Sequence, residues 1–444
     1  MRVSVLGAGR SSGYLIEYLS QLIGNQIESL FVYDLSFDSL WKDFSKSELI
    51  NYEILDLGSA QKLESVIIQS DIVVCMMPPT FHVQVAKICL KIKVHLFTAS
   101  YVSEDMYKLH SEAKEKGILF MNELGLDPGI DHLSASKFIE ELRSKGAIIK
   151  GFKSYCGGLV TKSSNNLNPW QYKITWNPMN VVTAGQGGPS KWRDGTLDKS
   201  VLPENLFREA IEINLENGDA FDAYPNRDSL SYQSVYQMQD VDTLIRGTLR
   251  RKGFCVAWQW LVDLKATESK TFSELGTPPQ SNETFEEWII RHSKLGVETL
   301  LNIEFNSADV RDKIEFLKLN DYVISSNDNS PAQVLLRVLT DKWKLLITDI
   351  DEVVMIHQTD YLLNNQKWRL ESTMIVKGEG SGRTAMAKTV GLPLAIGVEM
   401  LINNEIQDRG VVIPVFKPWG NQLLNQLEKR GIVFSHRNFP HSNY

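Results

Sequence analysis

The 444-residue sequence lacks several features that define special classes of protein. Its four cysteines are far apart and form no Cys-x-x-Cys pair, so neither a disulfide framework nor a structural zinc site is predicted. None of the eight histidines is paired at the spacing of metal ligands, and we therefore predict no metal. The net charge of −7 argues against a dedicated binder of nucleic acid or of anionic membranes.

Long hydrophobic runs, low-complexity segments and internal repeats are also missing. No stretch approaches the roughly 18 apolar residues that a membrane span needs. The first residues enter a short apolar strand, Arg2–Leu6, without an apolar leader, and this favours a cytoplasmic protein. With 43% hydrophobic and 23% charged residues the composition is that of a globular protein, and the length allows two to three domains.

A glycine-rich loop follows the first strand. Residues 7–13 read Gly-Ala-Gly-Arg-Ser-Ser-Gly, and helical spacing begins at Tyr14. Strand, glycine loop and helix are typical of dinucleotide binding, because glycines let backbone amides approach a pyrophosphate that the helix N-terminus stabilises. The spacing is one residue longer than the usual pattern, so a chance run of glycines is the alternative. The candidate cofactor residues in the loop are Gly7, Gly9, Arg10, Ser11, Ser12 and Gly13.

The second strand strengthens the dinucleotide interpretation, because residues 31–34 end in Asp34. A carboxylate at this place can accept hydrogen bonds from the ribose hydroxyls and would repel a 2′-phosphate. Short apolar strands then alternate with helical patterns as far as Met121, which predicts a doubly wound α/β sheet with six parallel strands. Asp56 and Met77, which follow two of these strands, are further candidates for cofactor contacts.

Residues 122–132 mark the change from cofactor binding to chemistry. Ligands of an open parallel sheet bind at the carboxyl ends of its strands, so Asp127 and Asp131 lie where a reacting group is expected. Two plainer interpretations stay open: Asp127-Pro-Gly is an ordinary turn, and Asp131 is a helix N-cap.

Six segments in one order resemble the glutamate-forming saccharopine dehydrogenase family. They are Gly125-Leu-Asp-Pro-Gly-Ile-Asp-His132 and residues 154–158, 168–176, 225–229, 246–250 and 385–393. The resemblance runs nearly end to end. It implies a Rossmann domain (1–130), an inserted α+β substrate and dimerisation domain (131–390) with a helical subdomain at about 197–350, and a C-terminal segment (391–444) that returns to the Rossmann domain. It also suggests a homodimer.

The resemblance implies a reaction in lysine metabolism. Saccharopine, a secondary amine that joins lysine to glutamate, is oxidised by hydride transfer to NAD(P), and the imine is hydrolysed to glutamate and 2-aminoadipate semialdehyde. Three substrate carboxylates need cations, and Arg227, Arg246 and Arg250 can bind them bidentately. For any one arginine a surface salt bridge is the alternative, and Arg246 is the weakest candidate of the three.

The resemblance also implies the remaining site residues. Tyr101, Asp127 and Cys156 match the family's polar catalytic positions, none is assigned as the sole base, and Cys156 could equally be an inert buried thiol. The substrate contacts are expected from Tyr101, Val102, Asp127, Arg227, Arg246, Thr248, Leu249 and Arg250. The nicotinamide side of the cofactor is expected to contact Ser100, Leu126, Asp127, Pro128, Gly129 and Trp176.

The cofactor predicted for this sequence differs from the one that fungal members of the family use. Fungal members use NADP, which calls for a basic residue after the second strand, whereas this sequence has Asp34 and so predicts NAD. Arg10 leaves NADP open, since it could reach a 2′-phosphate. Two other functions also stay open: a carboxynorspermidine synthase-type reductive condensation, which should need fewer arginines, and a non-catalytic NAD-binding protein. The direction of the reaction is not set by the sequence.

Overall fold

The computed structural model describes residues 1–37, 47–164, 167–293, 308–380 and 383–441. The described strands are β1 Arg2–Leu6, β2 Ser29–Asp34, β3 Ile50–Ile54, β4 Ile72–Cys75, β5 His95–Phe97, β6 Leu119–Met121, β7 Ile148–Val160, β8 Ser190–Asp194, β9 Leu197–Val201, β10 Ile211–Asn214, β11 Ala220–Pro225, β12 Thr243–Arg251, β13 Asp351–Leu363, β14 Gln366–Lys377, β15 Gly410–Val412 and β16 Phe434–Pro440. The described α-helices are α1 Gly13–Ser20, α2 Ala60–Ile67, α3 His82–Ile92, α4 Glu104–Tyr107, α5 His110–Glu115, α6 Ile130–Ser144, α7 Pro178–Val182, α8 Phe254–Asp263, α9 Phe285–Ser293, α10 Ala308–Leu317, α11 Pro331–Lys342, α12 Ala385–Ile402 and α13 Gly420–Glu428.

The first sheet is parallel throughout and has the strand order β15-β6-β5-β4-β1-β2-β3. The order reverses between β1 and β4, which is where open α/β sheets bind their ligands. The predicted doubly wound Rossmann sheet is confirmed. Its last strand, β15, comes from the far end of the chain and pairs with β6 from Gly410 opposite Leu119 to Val412 opposite Met121.

The second sheet is mixed and has the order β10-β11-β12-β7-β13-β14-β16, with β8 and β9 attached beside β12. Only β12 and β7 pair in parallel within this path. One face carries an aromatic core that includes Trp170, Trp258 and Trp343, all fully buried. The predicted α+β character of the inserted domain is thereby confirmed.

The helical subdomain begins later than predicted. Its predicted start at about residue 197 was wrong, because strands β9 to β12 lie within residues 197–251 and the next α-helix, α8, begins at Phe254. Pro203–Glu209 forms a 3-10 helix, and β10 follows at once. In β10 only Ile213 is buried, and the strand pairs with β11, so this part of the predicted helical subdomain belongs to the sheet.

The C-terminal segment is divided between the two sheets, and the predicted boundaries 391–444 need correction. The return to the Rossmann domain begins at α12, where a Cβ on Gly391 would lie 2.9 Å from the backbone nitrogen of Leu15 in α1. After β15 the chain leaves again, and β16 pairs with β14 of the second sheet. The length of α12 and its mean hydropathy of 1.5 match those of a membrane span, but 78% of it is buried inside the protein, as in a core helix.

The two sheets share a continuous apolar core. This core contains Val5 of β1 and Met355 of β13 together with most of α12. The helix α6 starts at the end of the Rossmann sheet and packs against β7 and β13 of the second sheet. The loop that precedes α6 therefore lies at the junction of the two domains, which is where the predicted reactive carboxylates are found.

Candidate active site

The glycine loop after β1 has the shape that a pyrophosphate needs. Gly7 has φ of +99°, its N–H donates to the carbonyl of Tyr33 at 2.8 Å, and a Cβ there would lie 3.0 Å from the backbone of Met76. Above Gly9, in contrast, a Cβ would meet nothing within 4 Å. The loop is thus closed against the sheet and open on the side that faces the N-terminus of α1. Ser11, Ser12 and Gly13 complete the turn into α1, where the Ser12 hydroxyl donates to the carbonyl of Gly9 at 2.7 Å.

Asp34 lies beside this loop at the end of β2. Its carboxylate accepts hydrogen bonds from the N–H of Ala8 and, at 2.6 Å, from the N–H of Leu35. Arg10 points elsewhere: its Nη1 donates to the carbonyl of Ile174 in the inserted domain at 3.2 Å. The carboxylate, and not the guanidinium, therefore occupies the edge of the loop where the adenosine ribose is expected.

The other two predicted contacts of the adenosine half are placed at the same edge of the sheet. Asp56 is exposed just beyond β3, and its carboxylate accepts from the N–H of Gly58 at 2.9 Å. Met77 follows β4, and its carbonyl lies 2.9 Å from Nε2 of His82. The structure brings these residues to the carboxyl ends of β3 and β4, where open parallel sheets bind their ligands.

The loop from Gly125 to Gly129 is held in a tight turn that projects Asp127. The N–H of Gly125 donates to the carbonyl of Pro128, and the N–H of Ile130 donates to the carbonyl of Gly125, both at 2.9 Å. Gly129 has φ of +146°, and a Cβ there would overlap the backbone of Gly125. Only glycine fits this conformation, so the turn that projects the Asp127 carboxylate requires glycine at position 129.

Two carboxylates share one arginine at the junction of the domains. Arg246 Nη2 donates to Asp127 Oδ1 at 2.8 Å and to Asp131 Oδ2 at 2.6 Å. The Tyr101 hydroxyl donates to the same Asp127 oxygen at 3.0 Å. The plainer interpretation of Asp131 as an N-cap was wrong, because Gly129 is the N-cap residue and the Asp131 side chain lies within the first turn of α6.

The environment drives the pKa values of the two carboxylates in opposite directions. Burial, together with the neighbouring Asp131, raises the pKa of Asp127 above its usual value, although Arg246 opposes this shift. Burial acts to raise the pKa of Asp131 as well, but His132 and Arg246 outweigh it and hold that pKa below its usual value. Because their pKa values are shifted apart, the two carboxylates suit different roles: Asp127 is suited to exchange a proton, and Asp131 stays ionised.

Cys156 lies on β7 between Thr248 of β12 and Met355 of β13. Burial raises the pKa of its thiol well above the usual range, and Asp127 and Asp131 add to the effect. The thiol is therefore protonated at neutral pH, which favours the interpretation of Cys156 as an inert buried thiol over a thiolate that attacks or accepts a proton.

The three candidate arginines differ in whether a carboxylate already neutralises them. Arg246, 7% exposed, is engaged by Asp127 and Asp131, so its guanidinium already holds two carboxylates, and its predicted contact with substrate stays a prediction. Arg250, 4% exposed, makes no ion pair within the described ranges, its Nε has no hydrogen-bond partner there, and Nη1 donates only to the carbonyl of Leu249. It is surrounded by the rings of Tyr172, Tyr224 and Phe254.

Arg227 is the third arginine, and it is exposed at the mouth of the same site. It has φ of +55°, and its guanidinium lies 4.9 Å from the ring centre of Tyr101. In the parts of the chain that the structure describes, no carboxylate pairs with it. Two positive charges, one buried and one exposed, therefore have no carboxylate partner among the described residues.

The remaining predicted site residues differ in whether the groups expected to bind a ligand are accessible. The N–H of Val102 is already taken by Glu123 Oε1 at 2.9 Å, and that of Ser100 by Thr98 Oγ1 at 3.2 Å. The Leu249 side chain is buried in the aromatic core, so only its backbone can reach a substrate. Leu126 is buried, whereas Trp176 packs against the cores of both domains and can border the cofactor cleft.

Sequence reasoning missed a buried group of residues behind Asp127. Glu123 Oε2 lies 2.7 Å from His132 Nε2 and accepts from the Tyr232 hydroxyl at 3.2 Å, while His132 Nδ1 lies 2.7 Å from the Tyr236 hydroxyl. Glu123 and His132 flank the loop of Asp127 in sequence, which was an available signal. The two tyrosines are distant in sequence and gave none.

Two family models match the chain. The model described as the saccharopine dehydrogenase NADP binding domain matches residues 3–121, and the saccharopine dehydrogenase C-terminal domain matches residues 125–432. The chain belongs to the saccharopine dehydrogenase family. Family membership makes it a nicotinamide-dependent dehydrogenase, which confirms the predicted enzyme class and the predicted kind of cofactor.

Known proteins agree with this assignment. Saccharopine dehydrogenase (NADP+, L-glutamate-forming) of Pyricularia oryzae is 34% identical over 396 residues, which are 85% of this chain and 86% of that protein. The mitochondrial alpha-aminoadipic semialdehyde synthase of Rattus norvegicus is 31% identical over 98% of this chain, but the match spans only 47% of that longer protein. The apo structure of saccharopine dehydrogenase (L-Glu forming) from Saccharomyces cerevisiae superposes with a TM-score of 0.81 at 27% identity, covering 99% of both chains.

Proposed function

We propose that this dehydrogenase interconverts saccharopine with L-glutamate and 2-aminoadipate 6-semialdehyde. The observation that carries the proposal is the pair of cations, Arg227 and Arg250, that no carboxylate among the described residues neutralises. A buried cation without a counterion is costly, so Arg250 is best explained by a substrate carboxylate that neutralises it. A substrate with several carboxylates around a secondary amine suits this arrangement, and the relatives are named for that substrate.

The residues of the chain have separate tasks in this reaction. Arg227 and Arg250 bind substrate carboxylates, each through two parallel hydrogen bonds. Asp127, whose pKa is raised by burial, takes the proton that the amine must lose, and Tyr101 and Arg246 hold the carboxylate in place. When bound, the nicotinamide supplies the hydride acceptor. Water then adds to the imine carbon, and Asp127 or Tyr101 is placed to exchange a proton with it.

For the cofactor we propose a preference for NAD. The relatives named above and the family model carry NADP in their names, so the preference would set this chain apart. Its support is the carboxylate of Asp34 at the loop edge, which would repel a 2′-phosphate, together with the contact of Arg10 to Ile174, which turns the basic side chain away.

A spectrophotometric assay tests both proposals. Purified protein is mixed with saccharopine and either NAD or NADP, and the absorbance of the reduced nicotinamide is followed. Turnover with NAD well above NADP is the expected result. Turnover that favours NADP would keep the reaction and overturn the argument from Asp34, and turnover with carboxynorspermidine but not with saccharopine would overturn the substrate.

We also propose that the protein is a cytoplasmic homodimer joined through the inserted domain, as the family resemblance implies. Its partners are then its small-molecule substrates and a second copy of itself. Sedimentation of the purified chain tests the dimer, and a monomer at assay concentration would overturn it.

A further inference from the structure

The function proposed above assigns no role to Glu123 and His132, which belong to a buried polar cluster behind Asp127. At its centre is His132, whose side chain is 0% exposed. Nε2 lies 2.7 Å from the Glu123 carboxylate, and Nδ1 lies 2.7 Å from the hydroxyl of Tyr236. Glu123 follows a Rossmann strand, whereas Tyr236 belongs to the inserted domain. Since both ring nitrogens have partners, a histidine with a purely structural role is the simplest account.

The charges around His132 indicate a role beyond stabilising the fold. Asp131 Oδ2 lies 3.7 Å from Nδ1, and Arg246 bridges Asp131 to Asp127. The cluster therefore holds three carboxylates, counting that of Glu123, and one guanidinium, and a negative excess of this kind is unfavourable away from water. The imidazole of His132 lies against this excess, with the Glu123 carboxylate at Nε2 and the Asp131 carboxylate near Nδ1.

Glu123 connects the same cluster to the segment that carries Tyr101. Its Oε1 accepts from the N–H of Val102 at 2.9 Å, and its own N–H donates to the carbonyl of Ser100 at 3.1 Å. Tyr101 lies between these two anchored residues and donates to Asp127. A change at Glu123 would therefore move the hydroxyl that holds the reacting carboxylate.

We propose that Glu123 and His132 are positioning residues for the chemistry at Asp127: Glu123 fixes the Tyr101 segment, and His132 balances the charge that lets Asp127 ionise. This role rests on the proposed function, because it concerns the same carboxylate. The electrostatic direction agrees, since His132 acts to lower the pKa of Asp127 whereas burial raises it. The charged and titratable groups that face His132 are Glu123, Asp127, Asp131, Tyr232, Tyr236, Arg246 and His357.

The test compares wild type with His132→Gln, which removes the charge but keeps a polar side chain, and with Tyr236→Phe as the control that leaves the imidazole in place. In protein carrying 13C-labelled aspartate carboxyls, Asp127→Asn identifies the Asp127 resonance, and its titration is followed without substrate or cofactor. We expect the midpoint to rise by about one pH unit in His132→Gln. The acid limb of kcat/KM for saccharopine should move by the same amount, and Tyr236→Phe, which removes a hydrogen-bond partner of the imidazole but keeps the imidazole itself, should move both by less.

A second variant covers the case in which His132→Gln does not fold. Glu123→Gln keeps the size of the side chain, and we expect it to lower kcat about tenfold to hundredfold and to raise KM for saccharopine, with unchanged cofactor affinity. An unmoved Asp127 midpoint in folded His132→Gln, or unchanged kcat and KM in Glu123→Gln, would overturn the inference. Wild type that does not turn over saccharopine would instead overturn the proposed function, and the substrate-free titration would still decide the role of His132.

Discussion

Two neighbouring arginines on β12 show how differently one residue type behaves at adjacent positions. Arg250 is buried without a carboxylate partner among the described residues, whereas Arg251 is equally buried and paired with Glu352. We predict that Arg250→Met stabilises the substrate-free protein by about 1–4 kcal/mol, because an unpaired buried charge is replaced by an apolar chain. The same change should abolish saccharopine turnover. Urea unfolding and initial rates measure the two effects.

The matched control is Arg251→Met, which leaves Glu352 buried and unpaired. It should destabilise the protein by about 3–5 kcal/mol, the opposite sign from its neighbour. If Arg250→Met destabilised the protein as well, Arg250 would have an internal partner and its role as a carboxylate receptor would be lost.

We predict that the choice between NAD and NADP also depends on a single residue. Because the Asp34 carboxylate accepts from the glycine loop at the expected ribose edge, Asp34→Ala should lower the ratio of kcat/KM for NAD to that for NADP about tenfold or more. Asp56→Asn, farther along the sheet edge, should change both cofactors alike. An unchanged ratio in Asp34→Ala would place the ribose elsewhere.

At the scale of elements, the contact between α12 and α1 links the core helix to cofactor binding. A Cβ on Gly391 would press on the backbone of Leu15, and α1 begins at the glycine loop. We predict that Gly391→Ala destabilises the protein by about 1–3 kcal/mol and weakens NAD binding, measured by titration of the nicotinamide. Gly397→Ala on the same helix meets the side chain of Leu124 and should cost stability without changing the affinity for NAD. Equal affinities in both variants would contradict the link.

Whole-molecule stability should depend on pH through His357. Burial lowers its pKa to about 4, its Nε2 lies 2.8 Å from the Ser134 hydroxyl, and its Nδ1 has no partner in the described structure. A lowered histidine pKa gives stability that is present above the unfolded value and is lost as the pH falls. Between pH 7 and pH 5 this contribution amounts to about 2 kcal/mol. His357→Asn should remove that part of the loss in urea unfolding, and equal losses in both proteins would contradict the assignment.

Features that depend on residues close together in the sequence could be predicted, whereas features that depend on residues far apart in the sequence could not. The Rossmann strands, the Gly7 loop and Asp34 follow from local patterns, and family motifs led to Asp127 and Arg250. The split of residues 391–444 between two sheets did not follow, because β16 reads like any short strand until its partner is known. The pairing of Arg246 was also out of reach, since its two carboxylates lie 119 and 115 residues away in the sequence.

The pairing of β15 with β6 has a consequence for biosynthesis. Ribosomes release the chain from its N-terminus, so β6 emerges almost three hundred residues before Gly410 can cover it. Until then the cofactor domain carries an open sheet edge of the kind that pairs with foreign strands. Nascent chains of this protein should therefore depend on chaperones until β15 has been translated, and the N-terminal domain expressed alone should aggregate unless a peptide with the β15 sequence is supplied.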